Sequence, residues 1–430
     1  MAMRSENGRA GANRKLRSLF FALALLAGAL AACGENDGGD AETDGDTETD
    51  GDAESDDVDS SSCESSSAPV CDGETVVACT DGRETRTPCP SGAFCNYGEC
   101  LPTTVVFPRD AGPHAEESEW WYYTGHLQTS AGGTFGFQLT IFQYLVAPPE
   151  TLGYMCHVAV TDETARRHDY TQGITTRKNE WQAEPARLEI LDCRIEIDAG
   201  EDRITGRIPD PEAPDRDLYM IDLTLKPQKR PALHGTDGII PMSDTGGTSY
   251  YYSYTRMSAE GTLVPPAGTA EDVTGLAWMD HQWGEFSVGQ FKGWDWWSMQ
   301  FDDGWEIMLF IFRSWDDVVV EKAGTIFDPN GQATWIEGLD GFDIEALSQW
   351  ESPHTDGVYP QNWDILIPQM DWELRLETGV ADQEMVNPAQ NYWEGSVTVQ
   401  GRRGETNVGG VGYVELTGYA SDIIDPEARR

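Results

Sequence analysis

Between residues 105 and 422 apolar and polar side chains tend to alternate one by one, and long stretches with a 3.6-residue period are few. Alternation at a period of two places successive side chains on opposite faces of a strand, so the pattern predicts an all-β region with tight turns. The clearest hairpin runs from Glu119-Trp120-Trp121-Tyr122-Tyr123-Thr124-Gly125-His126-Leu127 through a Gly132-Gly133 turn into Phe135–Ile141. In its second strand Phe135, Phe137, Leu139 and Ile141 share one face and Gly136, Gln138 and Thr140 the other, which predicts one buried side. Asn391–Gly395 and Gly412–Ala420 read as closing strands.

A related pattern returns as Asp295-Trp296-Trp297-Ser298-Met299-Gln300-Phe301, a turn at Asp302-Asp303-Gly304, and Trp305–Phe312. The two acidic-Trp-Trp triplets lie 176 residues apart and each opens a hairpin, which predicts an internal duplication. The halves, residues 102–285 and 286–424, each suit an antiparallel barrel of about eight to ten strands enclosing one small ligand.

What precedes them is of a different kind. Residues 1–33 read as an export signal, with Arg4, Arg9, Arg14, Lys15 and Arg17 ahead of an apolar run from Leu19 to Leu30. Leu30-Ala31-Ala32-Cys33 is similar to the bacterial lipoprotein cleavage box, in which Cys33 is lipidated; a simple secretory signal is the alternative. Gly34 after the cysteine resembles lipoproteins sorted to an outer membrane, so the expected location is a membrane-anchored lipoprotein or the extracellular space.

Residues 34–62 hold thirteen acidic side chains and no Lys or Arg, and such a segment is expected to be a disordered tether. Its reach as a coil is on the order of 30 Å. The Asp-Gly-Asp alternation hints at calcium, but no EF-hand spacing follows. Cys63, Cys71, Cys79, Cys89, Cys95 and Cys100 then fall within 38 residues, which predicts a small disulfide module over residues 63–101, zinc being the alternative. Cys156 and Cys193 remain as an expected bridge between two strands.

The net charge of −45 makes nucleic acid a poor partner, because phosphate binding needs clustered Lys and Arg. No Gly-x-Ser-x-Gly elbow, His-Glu-x-x-His helix, phosphate loop or dinucleotide turn occurs, which argues against serine hydrolases, metalloproteases and nucleotide enzymes. The seven histidines offer no compelling metal spacing, His114-x-Glu116 being weak, so no metal and no cofactor is expected.

The candidate chemistry centres on Trp278-Met279-Asp280-His281-Gln282-Trp283-Gly284. Trp278, Asp280 and Gln282 share one side of a strand, and Met279, His281 and Trp283 the other. A carboxyl beside a tryptophan in a closed pocket is pushed up in pKa and can act as a general acid, whereas a strand end or solvated turn is the plainer reading. Tyr250, Tyr252 and Tyr254 share a face that suits a cavity wall with polar tips, or an aromatic ladder in the core. Asp280 is thus the candidate catalytic residue, with Trp278, Tyr252, Tyr250, Trp121, Tyr123, His281 and Trp283 as candidate ligand contacts. Glu394 and Glu415 are weaker candidates, since exposed strand faces also carry Glu.

Phe107-Pro108-Arg109-Asp110, Glu119–Gly125, Ser249–Tyr254, Gly275–Gly284 and Glu415-Leu416-Thr417-Gly418-Tyr419 together resemble the AttH-like, carotenoid 1,2-hydratase (hydroxyneurosporene synthase) family over residues 102–422. The resemblance implies two tandem lipocalin-like (calycin) barrels, a hydrophobic isoprenoid- or lipid-like ligand, and Asp280 as the group that protonates an alkene without a cofactor. Trp278 stands where such hydratases carry Tyr, which departs from a carotenoid substrate. A lipid carrier without chemistry and a secreted hydrolase are the competing expectations.

Overall fold

The computed structural model describes residues 69–421, apart from 73–74, 81–82, 90–93, 97–98, 102–104, 148–150, 178–181, 184–185, 199, 243–246, 267, 286–290 and 388–389. The expected signal with Cys33, the acidic segment and Cys63 lie outside the described residues. Two compact units are present, one ending at Phe107 and the other starting at Pro108.

The smaller unit contains a three-stranded antiparallel sheet, β1 (Val70–Asp72), β2 (Thr75–Thr80) and β3 (Arg83–Pro88), and a pair, β4 (Phe94–Asn96) and β5 (Glu99–Leu101). Cys89 is bonded to Cys100 across a Cα separation of 5.3 Å, and Cys79 is also disulfide-bonded. The side chains of Cys71 and Cys95 are outside the described set. The disulfides point to an oxidising, exported environment.

The larger unit opens with β6 (Ser118–Thr129), β7 (Thr134–Ala147), β8 (Thr151–Asp162), β9 (Arg167–Arg177), β10 (Gln182–Ala183), β11 (Ala186–Ile190), β12 (Cys193–Asp198), β13 (Glu201–Asp210), β14 (Ala213–Pro227), β15 (Ala232–Leu233), β16 (Ile239–Pro241), β17 (Thr248–Val264) and β18 (Glu271–Glu285). These form one antiparallel sheet in the order β10-β11-β12-β13-β14-β17-β18-β6-β7-β8-β9, with β15 and β16 also on β17. It curls into a nearly closed barrel.

The second sheet holds β19 (Gly293–Phe301), β20 (Glu306–Arg313), β21 (Val319–Phe327), β22 (Ala333–Glu337), β23 (Asp343–Glu351), β24 (Val358–Ile367), β25 (Trp372–Thr378), β26 (Glu384–Met385), β27 (Tyr392–Arg403) and β28 (Thr406–Thr417). Its order is β22-β21-β20-β19-β28-β27-β25-β24-β23, with β26 on β27, and it forms a half-barrel. The protein is therefore all-β, with two tandem lipocalin-like sheets. Each acidic-Trp-Trp strand, β6 or β19, lies between the last strand of its own sheet and the hairpin partner that follows it.

Burial follows the alternation. In β13 every second residue from Asp202 to Asp210 is buried, and the barrel core is built from Tyr123, Phe137, Leu139, Val158, Ile204 and Ile221. The half-barrel is filled by its own tryptophans, Trp297, Trp363, Trp372 and Trp393, with aliphatic neighbours. A disulfide joins Cys156 on β8 to Cys193 on β12, with a Cα separation of 5.7 Å.

Where the two sheets meet, both faces of a strand are buried. All eight residues of β20 are buried, in keeping with its nearly continuous apolar sequence. Gln138 and Thr140 on β7 are buried as well, so the polar face expected to meet solvent is covered. A Cβ on Gly136 would lie 2.8 Å from the Ser396 Cβ, so only glycine admits the half-barrel that closely. Glu306 of the half-barrel is fully buried between Lys229 (2.6 Å) and Arg256 (2.5 Å) of the barrel.

One irregularity decides which side chains reach the junction. From Leu263↔Glu271 to Met257↔Ala277, β17 and β18 pair in one register; between Met257 and Tyr254, β17 carries one extra residue. Beyond this β-bulge the pairs are Ser253↔Asp280, Tyr252↔His281 and Tyr250↔Trp283. Without it Asp280 would stand opposite Tyr254 and share the tyrosine face, because a slip of one residue exchanges the faces.

Candidate active site at the junction

Asp280 is 4% exposed and points from β18 toward the half-barrel. Its Oδ2 accepts a hydrogen bond from the Tyr251 hydroxyl at 2.6 Å, and its Oδ1 accepts from Trp278 Nε1 at 2.6 Å and from the Ser253 hydroxyl. Burial pushes the carboxyl up to about 6, against the pull of the three donors.

Both barrels hold this carboxyl in place. Trp296 of the half-barrel donates its Nε1–H to the Tyr251 oxygen at 3.2 Å. His234, which burial drives down to about 3 and so keeps neutral, lies 2.7 Å from the Ser253 hydroxyl through Nε2 and 2.9 Å from the Thr325 hydroxyl of β21 through Nδ1. With its proton on Nε2, His234 accepts from Thr325 and donates to Ser253, which completes a chain to Asp280.

The surroundings are aromatic. Tyr122, Tyr251, Trp278, Trp296, Phe310 and Tyr413 belong to one buried cluster. Trp296 meets both Trp278 and Tyr122 edge to face, at 6.1 and 5.4 Å between ring centroids. Glu394 and Glu415 are cross-strand neighbours on the half-barrel side. Glu394 is fully buried; its Oε1 accepts from the Tyr122 hydroxyl at 2.7 Å and its Oε2 has no hydrogen-bond partner among the described residues. Burial, reinforced by Glu415, raises Glu394 well above the carboxylate range. Glu415 is pushed by burial to about 7, with Trp294 as a hydrogen-bond partner and the charge of Asp280 adding to the rise.

The junction thus gathers Asp280, Trp278, Glu394 and Glu415, and the other candidate contacts lie elsewhere. Trp121, Tyr123, His281 and Trp283 lie on the opposite face of β6 and β18, inside the barrel, by plain alternation, and the bulge puts Tyr250 and Tyr252 of β17 on that face as well. Their places beside Asp280 are taken by Tyr251, Ser253 and Tyr122. An alternation count running back from the β17–β18 turn cannot reveal this, since nothing in the sequence alone marks the extra residue in β17.

The inner face has its own polar group. His281 Nε2 and His114 Nδ1 each lie 2.8 Å from Glu119 Oε1, and Trp283 stacks on His114 at 4.1 Å. Tyr252 reaches His281 Nδ1 at 3.2 Å, Tyr250 stacks on Trp283 at 5.5 Å, and Trp121 stacks on His281 at 4.7 Å. Tyr123 donates to Asp202 at 2.9 Å.

A nearly closed barrel joined to a half-barrel in two tandem antiparallel sheets defines a lipocalin-like protein. The AttH-like family model matches residues 100–419, and the chain belongs to that family. Among solved structures it is similar to an AttH protein of Nitrosomonas europaea, with 28% identity, 74% of this chain and 97% of that one covered, and a TM-score of 0.63. It is also similar in fold to kievitone hydratase of Nectria haematococca, with 17% identity, 75% and 94% covered, and a TM-score of 0.58. No curated protein matches the sequence.

Proposed function

We propose that the protein is a hydratase or isomerase for a hydrophobic, isoprenoid- or lipid-like molecule, held at the envelope through Cys33, with Asp280 as proton donor. The observation that carries this reading is a buried carboxyl fixed by Tyr251, Ser253 and Trp278 among the ring faces of Trp278, Trp296 and Tyr122. Protonated Asp280 transfers its proton to one alkene carbon as the π electrons form the C–H bond. The neighbouring carbon becomes cationic, and each desolvated ring face stabilises it by about 2 kcal/mol. Water adds its oxygen there and returns a proton to the Asp280 carboxylate, which closes the cycle. Loss of a different proton from the cation gives an isomer instead. Kievitone hydratase, by its name, hydrates its substrate, and its likeness in fold makes hydration the first reaction to try.

The experiment is a mass-spectrometric search for a small molecule carried by the purified protein, followed by incubation of that molecule with fresh protein. An 18-dalton gain with the native chain and none with Asp280→Asn supports the reading. A ligand returned unaltered by both proteins leaves a carrier and refutes the enzyme.

A further inference from the structure

The inner face of the barrel carries an arrangement that the proton-transfer site does not use. His114 stands on the segment ahead of β6, Glu119 on β6 and His281 on β18. One ligand-capable atom from each, His114 Nδ1, Glu119 Oε1 and His281 Nε2, lies within 4.8 Å of the others. Glu119 and His281 are fully buried, whereas the side chain of His114 is 20% exposed.

The atoms pointing away from this centre are already engaged. The outer nitrogen of His114 faces Asp110 Oδ1 at 3.5 Å, and Asp110 is itself held by Arg109. The outer nitrogen of His281 faces the Tyr252 hydroxyl at 3.2 Å. Glu119 Oε2 accepts from the His114 backbone N–H at 2.8 Å and from Gln143 Nε2 at 2.9 Å. Two imidazoles and a carboxylate converging on one point, each oriented by a second partner, is the construction of a metal centre with an open position.

We propose that His114, Glu119 and His281 bind a divalent transition ion of the zinc class. Imidazole nitrogens and one carboxylate oxygen suit zinc, nickel, copper or iron rather than calcium or magnesium, which take oxygen ligands. Bond lengths of about 2.0–2.2 Å would be reached by parting the two nitrogen–oxygen pairs by a few tenths of an ångström around the ion. Each ring would bind through the lone pair of its inner nitrogen and keep its proton on the outer one, toward Asp110 for His114 and toward Tyr252 for His281. The ion would pin the segment ahead of β6 across the end of the barrel. It would also fix β18 from the face opposite Asp280, so this proposal stands independently of the proton-transfer reading.

The test uses the full chain, stripped with a chelator and then titrated with zinc, with bound metal measured by elemental analysis after desalting. Because other parts of the chain can take up zinc, the readout is the difference between native protein and variants. About one ion per chain should be retained by native protein and by Asp280→Asn, and lost in His114→Ala and Glu119→Gln. Asp110→Asn should weaken binding about 10- to 100-fold, the usual effect of removing a group that orients a ligand. Should Glu119→Gln fail to fold, the visible spectrum of cobalt-loaded native protein against His114→Ala serves instead, since His114 lies outside the strands. Equal metal content in native protein and His114→Ala, or identical cobalt spectra, overturns the proposal and leaves a hydrogen-bonded His–Glu–His network.

Discussion

At the scale of single residues, the junction carboxyl depends on a small set of donors. Asp280→Asn keeps the shape and removes the transferable proton, so turnover of the substrate found by mass spectrometry should fall about 10²–10⁴-fold. Tyr251→Phe removes one of three hydrogen bonds to Asp280 and should lower the same rate, whereas Tyr254→Phe, on the far side of the bulge's exchanged face, should leave it nearly unchanged. Comparing these two tyrosines by steady-state kinetics tests the register directly. A separate expectation concerns Asp202, fully buried and pushed by burial to about 7, with only the Tyr123 hydroxyl favouring its charged form. Its folded pKa is raised, so its contribution to stability is complete below about pH 4 and is lost as pH rises through about 7. The slope is about 1.4 kcal/mol per pH unit in that window. Urea unfolding between pH 4.5 and 7.5 should show a flatter profile for Asp202→Asn than for native protein.

At the scale of elements, the strands were largely legible and their pairing was not. Alternation in Phe135–Ile141, the repeated acidic-Trp-Trp hairpins and the Tyr250–Tyr254 run each name a strand that is present. A period of two states which residues share a face of one strand, but it does not state which face of the neighbouring strand they join. The extra residue between Tyr254 and Met257 settles that, and it leaves no mark in hydrophobicity. For the same reason the three members of the inner His–Glu–His group are invisible in the sequence. His281 lies 162 residues from Glu119, and only the β6–β18 pairing brings them together. The disulfide between β8 and β12 works at this scale too. It closes a chain separation of 37 residues, and Cys156→Ala with Cys193→Ala should lower stability by about 2–4 kcal/mol in denaturant unfolding.

At the scale of the whole molecule, the barrel and the half-barrel act as one body because the polar groups between them are buried and paired. Glu306 sits between Lys229 and Arg256, and Gln300 donates to the backbone oxygens of Thr255 and Ala277 at 2.8 and 3.0 Å. Glu306→Ala leaves two largely buried cations without their carboxylate and should cost about 3 kcal/mol in equilibrium unfolding. A loss below about 1 kcal/mol would mean that water already reaches these groups. Within each sheet the duplicated strand puts its acid and second tryptophan inward and its first tryptophan toward the other sheet, Trp120 from β6 and Trp296 from β19; Trp296 belongs to the shared cluster and Trp120 packs against it.

The chain from Thr325 through His234 and Ser253 to Asp280 crosses from one sheet to the other. The acid and one wall around it are thus written in separate stretches of the gene, with the acid supplied by residues before 285 and Trp296 and Thr325 by residues after 293. Exchanging the later stretch between relatives would leave the Asp280 carboxyl where it is while altering the aromatic and hydroxyl groups that surround it, so half a reading frame is enough to change the setting of this one side chain.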